Sequence, residues 1–449
     1  MISALQFILA IIAITMLAWY LLKSFMAGRY ISFLTLMALF VIVDVYMPGA
    51  IGVITGKYLN YHYFKIADNT YFLALIIYSI SIFLFLLGFY AKPHYCFRTS
   101  NEEYYINEKR LQIVFVVVLL VVLLNLYNEY SYCGSLDNFI NYKFKRVYAV
   151  SIQYDSAIKS LVRFMSEFSF TSMLVIISIG FINNDKLRHR LFWKYTSPVI
   201  SLAVALTTMY RGSIIELMCT IIASIQLSYF EKMGVMPNAI KHKMKTIGYF
   251  GVFGFLIFGA IRNSLSAQAW GNDSIPLLTS ISEMLTDTLG NSLSALSRCI
   301  EYVNAGNNLF WGQSIIEMLI YPFIPRSIWV GKPALYGIVI LTTAMGSPNT
   351  TMDAVTIPGE LIMNFGYIGL IIIVFIGKLY KFIEKLKYHN RFKYLYVATV
   401  FSLVSTPLWM GFTGFFAKIR YFPVYILIIF FVVRKSYPKD GNGNYLDYE

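Results

Sequence analysis

Apolar runs close to the length of a bilayer crossing recur along this chain, and a bundle of membrane-spanning helices is the arrangement that accommodates them. A crossing helix needs about 20 mostly apolar residues, and such runs lie at about 3–22, 31–47, 71–91, 111–128, 161–182, 197–209, 213–230, 247–262, 364–380, 394–411 and 421–433. The expected fold class is an all-α polytopic membrane protein with about 11 transmembrane helices, one transmembrane domain over residues 1–449. Charged residues are only 13% of the chain and hydrophobic ones 58%, against about 25% charged in a soluble domain. The first run has no basic n-region and no small-residue cleavage site before Lys23, so it reads as a retained span.

Orientation follows from the connections. Those holding Lys23 and Arg29, Lys92 to Arg110, Lys186 to Lys194, Lys232 to Lys245, Lys378 to Lys393, and Arg434 to Lys439 alternate with the others and carry 23 of the 37 basic residues. The positive-inside rule puts them in the cytoplasm, with the N-terminus outside and the C-terminus cytoplasmic. The formal charge of +14 is thus dispersed among short loops and makes no compact basic face, which argues against nucleic acid as a partner.

The connections also exclude chemistry. Each cytoplasmic one is too short for a βαβ nucleotide-binding unit, which takes about 30 residues. No P-loop, dinucleotide fingerprint, HExxH or acidic D-x-D pair is present, so no metal and no cofactor is expected. Cys96, Cys133, Cys219 and Cys299 share no metal-ligand spacing, and for the two read as outer, Cys133 and Cys299, free thiols are favoured over a disulfide.

Polar residues concentrate on the other side. The interval 263–363 is expected to form an extracytoplasmic loop cap containing short amphipathic helices. Leu278, Ile281, Leu285, Leu289, Leu293, Leu296 and Ile300 recur at helical spacing, as in a helix lying along the membrane surface. A second helix over about 313–320 should stop before Pro322, and Thr356 should cap the helix that follows it.

Candidate site residues follow from charge and stiffness. The apolar stretch from Ser197 to Phe230 would run about 51 Å as one helix, too long for a hydrocarbon core of about 30 Å, so it must turn at Tyr210-Arg211-Gly212-Ser213. Arg211 is then held near the outer interface, to bind an anion or to pair with Glu216. The segment Tyr321 to Pro333 fixes Arg326, Trp329 and Lys332 in a loop stiffened by proline, and a guanidinium held that way suits bidentate phosphate binding. Arg163, Arg262, Arg298, Lys418 and Arg420 also lie at outer ends of spans or in outer loops, with surface scatter the plain reading for Arg298 and Lys418. Glu360 is the leading acid, as a general base or as a helix-terminal carboxylate, with Asp353 second. Asp44 and Glu167, inside spans, are expected to be paired.

The segment Pro325 to Pro333, the run Pro358 to Gly369 and the break at Tyr210 to Ser213 resemble those of the bacterial oligosaccharide repeat-unit polymerases, or O-antigen polymerases. The resemblance implies a membrane-embedded glycosyltransferase, similar to the GT-C class, in the bacterial cytoplasmic membrane. It implies polymerisation of undecaprenyl-pyrophosphate-linked oligosaccharide repeat units on the outer face, with a chain-length regulator as a further partner. The pyrophosphate would be held by Arg211, Arg326, Lys332, Arg262 and Arg420, the glycan by Trp329, Tyr321 and Asn364, and the acceptor hydroxyl deprotonated by Glu360 or Asp353. A glycan ligase of the same class and a lipid-linked oligosaccharide transporter or flippase are the alternatives.

Overall fold

A computed structural model describes residues 2–55, 68–91, 104–145, 157–207, 212–233, 236–269, 276, 278–281, 291–320 and 355–435. Its first elements are α1 (Ile2–Met26), α2 (Phe33–Val41), a π-helical stretch Ile42–Tyr46, α3 (Met47–Thr55) and α4 (Asp68–Tyr90). Next come β1 (Tyr104–Ile106), α5 (Glu108–Cys133), α6 (Leu136–Lys145), α7 (Ala157–Ile182), α8 (Ser197–Thr207), α9 (Gly212–Met233) and α10 (Asn238–Ala269). The chain continues through α11 (Asn291–Asn304), α12 (Gln313–Ile320), α13 (Ile357–Phe365), a 3-10 stretch Gly366–Ile371, α14 (Ile372–Lys385), α15 (Lys393–Ile419), α16 (Phe422–Val432) and β2 (Val433–Lys435).

Among the described residues, eight helices are long and apolar enough to cross a membrane, and Lys393–Ser405 and Phe422–Val432 are shorter apolar helices. The chain is an all-α polytopic membrane protein, with one small addition, the antiparallel pairing of β1 and β2 from Tyr104↔Lys435 to Ile106↔Val433. Helix α7 is central. Met173, Leu174, Val175, Ile176 and Ile177 are consecutive and all fully buried, as expected of a helix apolar on every face and surrounded by other helices.

The tightest helix contact joins α4 to α14. A Cβ built on Gly88 would lie 1.9 Å from the Val374 carbonyl oxygen, and one on Gly377 would lie 2.2 Å from that of Phe85. Small residues at the crossing let two backbones touch, which is how helices gain dispersion contacts in lipid, where no hydrophobic drive exists between them. A Gly377→Leu variant is expected to force the pair apart, costing about 1–3 kcal/mol or more. Fluorescence-detected size exclusion after heating would show it; an unchanged melting profile would refute the contact.

The basic connections gather at one end of the bundle. Glu108 accepts from the Arg188 and His189 backbone N–H groups at 2.6 and 2.9 Å. Gln226 accepts from Tyr30 and Ile31 N–H at 2.9 and 3.0 Å. Glu384 binds Phe33 N–H, the Tyr396 hydroxyl and Lys387, and the Arg391 guanidinium lies over the Tyr104 and Phe430 rings at 4.6 and 4.4 Å. Apart from the Lys387 and Tyr396 contacts of Glu384, which stay within one segment, each of these contacts joins two of the six Lys/Arg-rich segments or their flanks.

The 32-residue apolar stretch Ile357–Tyr388 does not run straight. At Gly366 the backbone takes φ 65°, ψ −167°, a conformation open to glycine but not to side-chain-bearing residues. The chain folds back there, so that a Cβ on Gly369 would lie 2.6 Å from the Leu361 carbonyl oxygen. Helix α13 therefore starts inside the bundle. Ile357 and Pro358 line the same cavity as Ile373 and Ile376 of the returning limb. Helix α11 runs alongside it, with Cys299 Sγ 2.8 Å from a Cβ built on Gly359.

Two expectations change here. Residues 291–304 do not lie along a surface: from Ser292 to Ile300 every residue is buried, packed against α4, α13 and the π-helical stretch. The leucine periodicity is real, but Ser292, Ser294 and Ser297 on the other face are also buried, so neighbouring helices cover both faces. Arg298 is likewise buried, at 4% exposure, and is no scattered surface charge. Other expectations hold: α12 begins at Gln313, α8 and α9 are separate helices, and Cys133, Cys219 and Cys299 are free thiols, while the stop expected before Pro322 lies outside the described residues.

Candidate functional site

Thr356 opens α13 as its N-cap, its hydroxyl accepting from Gly359 N–H at 3.2 Å, with Pro358 in the first turn where a missing N–H costs nothing. This fixes the phase of the helix and points Glu360 and Asn364, one turn apart, to the same side. Both are buried, at 1% and 0% exposure.

The two side chains anchor one network. The Ser314 hydroxyl of α12 donates to Glu360 Oε1 at 2.9 Å, and Asn364 Nδ2 donates to Ser314 Oγ at 2.8 Å and to the Glu360 carbonyl at 2.7 Å. Asn364 Oδ1 accepts from Gly312 N–H at 3.0 Å, while the Trp311 N–H donates to the Asn364 carbonyl at 2.9 Å. Asn364 therefore holds the turn entering α12, where Trp311 and Gly312 take φ 50° and 84°.

Glu360 Oε2 accepts from the Phe412 backbone N–H at 2.8 Å. That N–H is free because α15 breaks at Gly411, with φ 59° and ψ −146°. The carboxylate caps the second half of a broken helix, where an anion is favoured by the unpaired N–H groups and the dipole. Glu360 stands in the first turn of its own span, as expected, and there it is buried and caps a neighbour.

The second half of α15 carries the network onward. Lys418 Nζ lies 3.9 Å from Glu216 Oε2, one turn into α9, and the Arg420 guanidinium lies 3.3 Å from Glu167 Oε2, which also accepts from the Tyr421 hydroxyl at 2.5 Å. Glu216, expected as a partner for Arg211, thus faces Lys418, which is paired and is no stray surface charge. The flank before Arg211 is also held: Lys143 of α6 forms a buried ion pair with Glu129 and donates to the Thr207 carbonyl, the last of α8, at 3.4 Å. A cation there satisfies an end-of-helix carbonyl.

A second polar group lies deeper. The Ser292 hydroxyl, in the first turn of α11, donates to Asp44 in the π-helical stretch, and the Tyr78 hydroxyl donates to the Ser292 carbonyl at 3.2 Å. Asp44 and Glu167, expected to be paired, both are.

Of the predicted site residues, Glu360 and Asn364 are brought together. Arg420 lies further along α15 and is engaged by Glu167 and by its neighbour's ring, 4.4 Å away. Arg262 is half-buried on α10, which packs on α9 and α6. Arg211, Tyr321, Arg326, Trp329, Lys332 and Asp353 lie outside the described residues. Among the described residues no cluster of metal-ligating side chains occurs. Sequence reasoning missed Ser314, Gly411 and Lys143. Gly411 had a signal, a glycine near Pro407 inside an apolar run, but Ser314 had none.

Fold and site together define a polytopic α-helical membrane protein with a broken helix and a buried carboxylate cap toward one end. No family model, no curated protein and no solved structure matches the chain.

Proposed function

We propose that this protein is a membrane-embedded glycosyltransferase that polymerises oligosaccharide repeat units carried on a lipid pyrophosphate, at the outer face of a bacterial cytoplasmic membrane. It would cross the membrane about 11 times. The observation that carries the reading is that the second half of α15 engages two buried carboxylates, Glu360 through Phe412 and Glu216 through Lys418. Both flanks of Arg211 are pinned, by Lys143 on Thr207 and by Lys418 beside Glu216, and the same segment of α15 reaches Glu360 through Phe412. A departing pyrophosphate needs preorganised charge, and held flanking residues favour it.

In this scheme Arg211 and Arg326, with Lys332, Arg262 and Arg420 in support, hold the diphosphate, and Tyr321, Trp329 and Asn364 position sugars. The acceptor hydroxyl gives its proton to Glu360 or Asp353. Glu360→Gln separates the two, because a glutamine oxygen can still accept from Phe412 N–H while its amide donates to Ser314. A Glu360→Gln enzyme that elongates normally assigns the base to Asp353 and leaves Glu360 the helix cap.

The test is elongation by purified, reconstituted protein given a lipid-linked repeat. Wild type is expected to make a ladder, and Arg211→Ala or Arg326→Ala to make none. Normal ladders from both variants would remove the phosphate-binding assignment. Translocation without elongation would make the protein a transporter, and transfer of finished polymer to a different acceptor would make it a ligase.

A further inference from the structure

Near the contact of α4 with α14, side chains leave a wedge of space bounded by α2, α4, α14, the first residues of α13 and Val404 of α15. Phe33, Val41, Phe85, Ile373 and Ile376 form part of its wall, and all are buried. Tyr78 and Tyr380 also line it, but their hydroxyls are committed to carbonyls, those of Ser292 and Leu403 at 3.2 and 2.6 Å. One polar atom of the wall is left over. Ser81 is 5% exposed, and its hydroxyl has no hydrogen-bond partner among the described residues.

The chemistry of that wall selects its occupant. An ordered water needs two to four polar partners, and this wall offers a single hydroxyl. Empty space forfeits the dispersion contacts of the side chains that line it. A hydrocarbon chain restores them without asking for hydrogen bonds. Such chains are at hand, because the helices that form the wedge also face lipid: Leu39, Phe83 and Phe375 are 45%, 61% and 63% exposed on α2, α4 and α14.

We propose that the wedge between α2, α4 and α14 is a binding site for the hydrocarbon tail of a membrane lipid, kept open by the small side chain of Ser81. A phospholipid acyl chain and a polyprenyl carrier share the chemistry the site asks for, a flexible apolar chain. This stands whether or not the protein transfers sugars, since it concerns occupancy of the wedge and not the reaction.

The experiment is photo-crosslinking of the full-length protein in vesicles, with a diazirine-bearing phosphatidylcholine in one arm and a diazirine-bearing polyprenyl phosphate in the other. With labelled positions read residue by residue, wild type is expected to be labelled at Ser81, Phe85, Ile373 or Ile376, by one lipid or both, and the arm that labels identifies the source. Ser81→Leu, which fills the wedge, is expected to cut that labelling by about tenfold, as overpacking a filled site should. Phe83→Leu, on the lipid-facing side of the same helix, should leave it unchanged. If Ser81→Leu does not elute as folded protein, Met37→Phe fills the same space from α2. Labelling confined to Phe83 and Phe375 in both arms, or equal labelling of the wild-type and filled wedges, would overturn the proposal.

Discussion

A Lys143→Met variant is expected to lose about 3–5 kcal/mol of stability, the cost of leaving a buried carboxylate without its cation. Glu129 is fully buried and Lys143 is 5% exposed, so neither can turn to solvent when its partner is gone. Asn125 Nδ2 donates to Glu129 Oε1 at 3.2 Å, which helps but supplies no charge. Replacing both ions changes the sum. A Lys143→Met, Glu129→Leu double variant removes the Coulomb attraction and both desolvation costs together, and it is expected to recover most of the loss. The recovery should not extend to function. Lys143 also holds the Thr207 carbonyl beside the Arg211 turn, and methionine cannot donate to it. Stability of the double variant should therefore approach wild type while elongation stays reduced. Thermal unfolding of the three variants, followed by the elongation assay on the stable ones, checks both halves. A Lys143→Met protein that melts with wild type would show that the ion pair contributes nothing.

How far the sequence reaches depends on which interaction decides each element. Eight of the eleven expected spans are legible, because lipid imposes one local requirement, a run of about 20 apolar residues; the runs at 197–209, 394–411 and 421–433 form helices or apolar segments too short to meet it among the described residues. The α8–α9 turn was legible for the same reason: a helix too long for the bilayer must break, and Gly212 offered the place. Thr356 was legible from local capping rules. Residues 291–304 were not. Their periodicity gives an apolar face and a serine face, and only tertiary packing decides whether lipid headgroups or other helices cover the serines. Arg298 was misread with them, since a cation on a helix read as superficial looks exposed.

The candidate site divides along the same line. Glu360 and Asn364 are four residues apart, so their shared face follows from helix geometry. That Ser314 meets both, 46 and 50 residues away, is set by how α12 packs against α13 and α15, and no local pattern encodes it. The carboxylate's role was also underdetermined. A glutamate near a helix start reads as a cap for its own helix, whereas here the unpaired N–H belongs to α15.

That dependence on a neighbour makes Gly411 the most sensitive position of the network. A Gly411→Ala substitution places its Cβ 2.5 Å from Glu360 Oε2 and 2.5 Å from the Val355 carbonyl oxygen, in a backbone conformation that L-residues rarely adopt. Strain of this kind costs about 1–3 kcal/mol before any contact is counted. Relief requires the carboxylate to leave Phe412 N–H, and a buried acceptor and donor are then both unsatisfied, at about 1–3 kcal/mol each. The variant is therefore expected to be strongly destabilised and inactive in elongation. Adding Glu360→Ala removes one clash but leaves the one with Val355, so the double variant should recover stability only in part. Gly254→Ala is the control, because its Cβ would meet Ile214 at 3.8 Å, an ordinary contact. Thermal unfolding of Gly411→Ala, the double variant and the control decides the matter: equal stability of Gly411→Ala and Gly254→Ala would mean that α15 does not break against the Glu360 carboxylate.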